Sequence, residues 1–135
     1  MFKFRMQHIK VDQFAILEEK LPTTPIQLET SLGLGANKEH RMITAQLKVT
    51  FSSESNILVV LMASCLFEIH PDTWNELSND GKTIIPKNEL AHLAMHTFGT
   101  VRGILFCKTE GTNYQQLILP PTNVESMIKE PLVIE

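Results

Sequence analysis

His92 and His96 stand four residues apart, the spacing that puts two imidazoles on one helix face and lets them share a metal ion. No third ligand is identifiable for them, and the intervening Leu93, Ala94 and Met95 lack the glutamate of a zinc-protease motif, so they read as surface histidines. Cys65 and His70 offer a thiol and an imidazole, but on an extended strand their odd separation sends them to opposite faces, out of the contact a nucleophile pair needs. His70, next to Pro71, reads instead as shaping a turn. Glu18 with Glu19, and Asp72 with Glu76, supply paired carboxylates, yet nothing in the sequence buries one of either pair to separate their acidities. Gly33-Leu34-Gly35-Ala36-Asn37 lacks both the spacing and the following helix of a phosphate loop and reads as a twisted strand end. No catalytic motif survives, and the expectation is a protein that is not an enzyme and uses no metal or cofactor.

The elements that hold these residues are more informative. Ile57-Leu58-Val59-Val60-Leu61-Met62-Ala63 is apolar on both alternating sets of one strand: Ile57, Val59, Leu61 and Ala63 on one face, Leu58, Val60 and Met62 on the other. One helical layer covers one face of a sheet. The second face is left for a partner subunit or a bound client, since Leu58, Val60 and Met62 together would make a contiguous apolar patch. Serine at Leu58 and Val60 is therefore expected to weaken partner binding and spare the fold.

Other strands surround this one. Phe2 to Leu17 mixes β-prone residues with charges and reads as one long strand, or two short ones separated near Lys10 to Asp12. The prolines between Leu21 and Pro25 make a connection, and Ile26 to Gly35 alternates as a half-buried strand. Ile43, Ala45, Leu47, Val49 and Phe51 alternate with Met42, Thr44, Gln46, Lys48 and Thr50, one face core and one wet. Ser52 to Asn56 is a polar hairpin turn, and the successive short links predict an antiparallel meander.

Helices follow. His70 to Gly81 reads as a long loop with room for one turn of helix; its Trp74 is first an aromatic pinned onto the domain and second a client-facing anchor. Pro86 suits a helix start, and Leu90, Leu93, Ala94, Thr97, Phe98, Val101, Ile104 and Leu105 recur at helical spacing to about Lys108. Gly99 and Gly103, beside Met95, leave one flank of that helix without bulk, so another helix can approach closely. Thr122-Asn123-Val124-Glu125 has the form of a capping box for a short last helix that Pro131 ends.

Composition sets the frame. A chain of 135 residues with 43% hydrophobic and 20% charged residues is one globular domain, spanning 1–135, with no linker or repeat to divide it. A net charge of -3 and the lack of a basic run argue against nucleic acid. Two cysteines, Cys65 and Cys107, without a metal-ligand pattern read as buried free thiols in a reducing compartment. Charges thread the first residues, unlike a signal peptide, and no apolar run approaches the roughly 20 residues that cross a bilayer, so a cytoplasmic protein without membrane insertion is expected.

The order of these elements resembles the SecB family of export chaperones over nearly the whole chain. The residues that carry the resemblance are Leu66-Phe67-Glu68-Ile69 closing the fourth strand, Arg102 in the second half of the long helix, and Leu119-Pro120-Pro121-Thr122-Asn123 before the last helix. Phe2-Lys3-Phe4-Arg5 and the strand Gln46 to Phe51 add to it. The resemblance implies an α+β fold, a four-stranded antiparallel sheet with one long and one short C-terminal helix on one face. It also implies an ATP-independent holdase that assembles as a dimer or dimer of dimers and holds unfolded polypeptides on apolar grooves. Leu58, Val60, Met62, Trp74 and Phe98 are the client or partner candidates, and Met95, Gly99 and Gly103 the candidates for the subunit interface. Aligning on Phe67 places Val60 where the export chaperone carries an acidic residue that docks the translocase motor SecA. The missing charge puts a link to export in doubt and leaves a dedicated interaction module, such as a chaperone controlling a toxin-antitoxin pair, as the alternative.

Overall fold

The structure is a computed structural model that describes residues 1–135. Strands β1 (Phe4–Ile16), β2 (Gln27–Asn37), β3 (Met42–Ser53) and β4 (Asn56–Ile69) form an antiparallel sheet in the order β1-β4-β3-β2. The meander runs through β2, β3 and β4, as the short turns require. Strand β1 pairs with the far side of β4, so the chain between β1 and β2 must cross the end of the sheet.

One face of this sheet carries the core. Ala45, Leu47, Val49 and Phe51 of β3, with Val59, Leu61, Ala63, Cys65 and Phe67 of β4, are buried against the apolar stripe of helix α2 (Lys87–Thr109), whose Leu90, Leu93, Ala94, Thr97, Phe98, Val101 and Leu105 point at them. Pro86 occupies the N-cap of α2, and Gly111 with φ 80° turns the chain away just past its last residue, a conformation that favours glycine. Tyr114, Leu119 and Val124 then close the core along the other flank of the helix. Arg102 fixes this return by donating from Nε to the Leu119 carbonyl at 2.6 Å.

Four features depart from the alternating pattern of the sequence. First, β1 is a single strand, but it carries bulges between Met6 and His8 and between Val11 and Gln13. The second bulge aims Asp12 at the outer face, where its carboxylate accepts from Ser64 Oγ at 2.5 Å and Gln46 Nε2 at 3.2 Å. Second, the stretch after Ile69 is not one loop. It folds as helix α1 (Pro71–Glu76), capped by His70 Nδ1 accepting from the Asp72 N–H, and as strands β5 (Ser78–Asn79) and β6 (Lys82–Ile85). Third, the chain beyond Pro131 forms β7 (Leu132–Ile134) and pairs with β6, completing a second, three-stranded sheet. Ile85 and Ile134 of that sheet are buried with Trp74, Phe67 and Leu90 in a second core cluster. Fourth, the last helix is a short 3-10 segment, Val124–Met127, without a side-chain cap; the Thr122 hydroxyl bonds back to the Pro120 carbonyl, so the capping box does not form.

The β3–β4 hairpin holds both its turn residues in the left-handed region, Glu54 at φ 46° and Ser55 at φ 71°. Neither is the asparagine or glycine that such a turn favours. Ser55→Gly should therefore raise stability by about 0.5 kcal/mol, the relief of left-handed strain outweighing the extra freedom glycine gains in the unfolded chain. A thermal melt that fails to rise would contradict this turn geometry.

Candidate functional site

The five residues proposed for client contact do not converge. Leu58, Val60, Trp74 and Phe98 are all buried, and Leu58, Trp74 and Phe98 belong to the cores described above. For Leu58 the cause is a bulge. Phe51 pairs with Val59 and Ser52 with Ile57, so Leu58 is the extra residue of β4, and its side chain joins Val59 in the core while Ile57 turns outward. Val60 and Met62 do face the outer side of the sheet. Val60 lies between Ala15 and Thr50, and Met62 between Gln13 and Lys48, so polar neighbours on the flanking strands interrupt the apolar patch expected there. Trp74 is pinned onto the domain by α1 packing, and Phe98 belongs to the helix stripe.

Exposed apolar surface lies elsewhere, in two main places. The first is the solvent-facing side of α2, together with the edge strand β1. Met95 is 57% exposed and Phe106 59%, with Gly99 and Gly103 exposed between them. A Cβ placed on either glycine would meet no atom within 4 Å. On the adjoining edge strand, Ile9 and Val11 point to the helix side yet stay exposed, because α2 lies too far over to cover them. Aromatics close both ends of this strip. Phe4 packs edge-on against His92 and His96 at 5.4 and 5.7 Å between ring centroids, and Lys108 Nζ sits 5.9 Å over the Phe14 ring. The sequence marked Met95, Gly99 and Gly103; Ile9, Val11 and Phe106 were missed because their exposure depends on which strand lies at the edge and where the helix crosses.

The second place is the end of the sheet where residues 17–25 cross it. Leu17, Leu21 and Ile57 are exposed around a cleft of about 580 Å3 between this crossover and the β3–β4 turn, with Glu18, Lys20 and Glu54 on its walls. A second cleft of about 420 Å3 lies on the other side of the crossover, lined by Leu21, Ile26, Tyr114 and Leu117. Tyr114 is buried between the clefts, and its hydroxyl donates to the Glu18 carbonyl at 2.5 Å. Burial, with the Glu18 charge adding to it, pushes the phenol above its ordinary range, so the hydroxyl stays a donor at any physiological pH.

The nucleophiles divide by burial. Cys65 is buried beneath α2, and that burial pushes its thiol up, with hydrogen bonds from Thr97 and Thr100 pulling the other way; Cys107, expected to be buried as well, is exposed, because it falls on the solvent side of α2. A thiol reagent should modify Cys107 in the native protein on the order of a hundredfold faster than Cys65, which should react only on unfolding. Equal rates would mean that the sheet and α2 separate readily. His92 and His96 stack at 5.0 Å with both rings exposed. No group of three or more histidine, cysteine, aspartate or glutamate side chains is placed to hold a metal ion. No helix is long and apolar enough to cross a membrane.

No protein-family model and no curated protein matches the sequence. Among solved structures, the fold is similar to a SecB-like chaperone of Mycobacterium tuberculosis, determined in complex with a ChAD peptide from the HigA1 antitoxin. The TM-score is 0.54 at 15% identity over 78% of each chain. A protein of unknown function from Streptococcus agalactiae aligns over 82% of this chain and 90% of its own with a TM-score of 0.37, also at 15% identity, a likeness too slight to carry an argument. The four-stranded antiparallel sheet, the long helix on one face and the short segment after it are common to this chain and the mycobacterial chaperone, and the chain has the SecB-like fold.

Proposed function

We propose that this protein is an ATP-independent chaperone of the cytoplasm that assembles as a homo-oligomer and holds unfolded or aggregation-prone polypeptides without catalysis or cofactor. The observation that carries the reading is the clustering of exposed apolar residues in two main places, although Ile84 with its partner Val133, and Ile118, are exposed outside them. The helix flank of Met95, Gly99, Gly103 and Phe106, with Ile9 and Val11, is the subunit contact. The crossover end, with Leu17, Leu21 and Ile57 around open clefts, is the client surface. Burying apolar client side chains there gains roughly 25 cal/mol per Å2 without directional demands, which suits many unrelated sequences.

Suppression of aggregation of two unrelated, chemically unfolded proteins, followed by light scattering without ATP, tests the proposal. Suppression of both near stoichiometric ratios is expected. A second reading, a dedicated module for one partner peptide, is favoured by the antitoxin peptide seated on the mycobacterial neighbour. It predicts failure with both unfolded proteins by a folded, defined oligomer, together with tight binding of a single partner. A role in export through SecA is left out of the proposal, because the outer face of β4 carries Val60 and Met62 between neutral or basic neighbours.

A further inference from the structure

The chain between Leu17 and β2 is held to the domain almost entirely by side chains. Leu17 N–H bonds to the Leu58 carbonyl, and beyond it no backbone pair outside the regular elements ties down Glu18 to Pro25. Two sets of pins replace them. At the near end, Tyr114 Oη reaches the Glu18 and Lys20 carbonyls at 2.5 and 3.3 Å, and Asn113 Nδ2 donates to the Glu19 carbonyl at 2.8 Å. At the far end, Ser53 Oγ donates to the Pro25 carbonyl at 3.0 Å and is hydrogen-bonded with the Thr24 hydroxyl. Between the pins, Leu21-Pro22-Thr23 arches with a cleft on either side.

The geometry points to a removable strap: Glu18–Pro25 covers a binding surface made of Leu58, Tyr114 and Ile26, and an extended apolar segment of a non-native polypeptide takes its place. This rests on the polypeptide-binding reading above. Three observations support it. The covered side chains are continuous with the exposed rim of Leu17, Leu21 and Ile57, so release of the strap joins two clefts into one trough in which Ile26, Ile57, Leu58 and Leu117 stand among polar residues. The strap is itself an irregular segment that carries Leu21, and its two prolines, Pro22 and Pro25, keep it from laddering to a strand. Its hydrogen bonds are neutral ones that water replaces when it lifts, so the covered surface opens without unfolding the sheet.

A reversible lock tests this. The Thr24 and Ser53 side chains touch, so the double variant Thr24→Cys/Ser53→Cys, made in a Cys107→Ser background, ties the strap down when oxidised and frees it when reduced. Light scattering with the same unfolded proteins should show the reduced form, whose far pin is weakened, capturing at least as well as the parent and the oxidised form at least tenfold less than the reduced form, with the oligomer unchanged in size. A locked protein that captures as well as the reduced one overturns the strap. If the parent captures nothing, the polypeptide-binding reading falls and the strap with it. Should the cysteines themselves impair capture, Tyr114→Phe decides: it removes the near pin, so trypsin should cut after Lys20 severalfold faster and client capture should increase. Faster cutting without a gain in capture overturns the proposal, as does unchanged cutting.

Discussion

Leu58→Ser should cost about 3–5 kcal/mol of folding stability, while Val60→Ser, two residues further along the same strand, should cost about 1 kcal/mol. The difference comes from the bulge that puts Leu58 in the core and leaves Val60 on the outer face. Leu58 is fully enclosed, so truncation loses its transfer energy and leaves a cavity, and the serine hydroxyl adds a buried polar group. Val60 is buried too, but it lies outside the core clusters and beside Thr50 on β3, so a smaller side chain there opens less of a cavity and its hydroxyl has a polar neighbour. A domain of this size has about 5–15 kcal/mol in total, so the first variant loses a large share of its stability and the second stays folded through ordinary handling. Urea midpoints measure both. Equal losses would show that Leu58 and Val60 share a face, as strict alternation has it.

That contrast marks how far the sequence can be read. Alternation located β3 and the core stripe of α2, because each has a polar set to contrast with an apolar one, whereas β4 showed itself by an unbroken apolar run. It failed at Leu58 because a bulge adds a residue to the count without changing residue type, and nothing in Asn56-Ile57-Leu58-Val59 announces one. The second sheet escaped for another reason. Lys82–Ile85 and Leu132–Ile134 are short, far apart in the chain, and stable only as partners over a core that neither creates alone. The candidate site was legible in part. The glycine flank showed itself because glycines inside a helix need a reason, whereas the crossover surface depends on where Tyr114 and Ser53 reach across the fold.

The family resemblance survives these misses because it rests on the order of elements. At 15% identity the mycobacterial chaperone shares the fold while almost every side chain differs, so the surfaces must be argued from this chain alone. They separate cleanly. The glycine-bearing side of α2 faces solvent, and the crossover sits at the end of the sheet, so the proposed assembly through the first would leave the second open to the proposed client. Each subunit of an oligomer would then present its own crossover, and one long unfolded chain bound at several of them gains avidity without any single site being tight.

Gly99→Leu, and separately Gly103→Leu, should convert the proposed oligomer to monomers while making the isolated chain more stable. Both glycines lie inside α2 on its exposed side, where a Cβ meets nothing within 4 Å of its own chain. Within one subunit the substitution therefore costs no packing and gains about 0.5–1 kcal/mol of helix propensity, a rise of about 3 °C in the melting midpoint of a dilute sample. Between subunits the effect reverses. Where two copies of the flank meet about a two-fold axis, the glycines let the helices approach between the large side chains of Met95 and Phe106. A leucine in that gap forces the backbones apart, an overpacking cost of about 1–3 kcal/mol that the symmetry imposes twice. Even the lower end, about 2 kcal/mol in total, weakens assembly about 30-fold. Light scattering coupled to size exclusion reads the loss of mass, and melts of the same samples read the gain in stability. Oligomers that persist with leucine at both positions would move the subunit contact off this flank and free it, with Met95 and Phe106, for client binding.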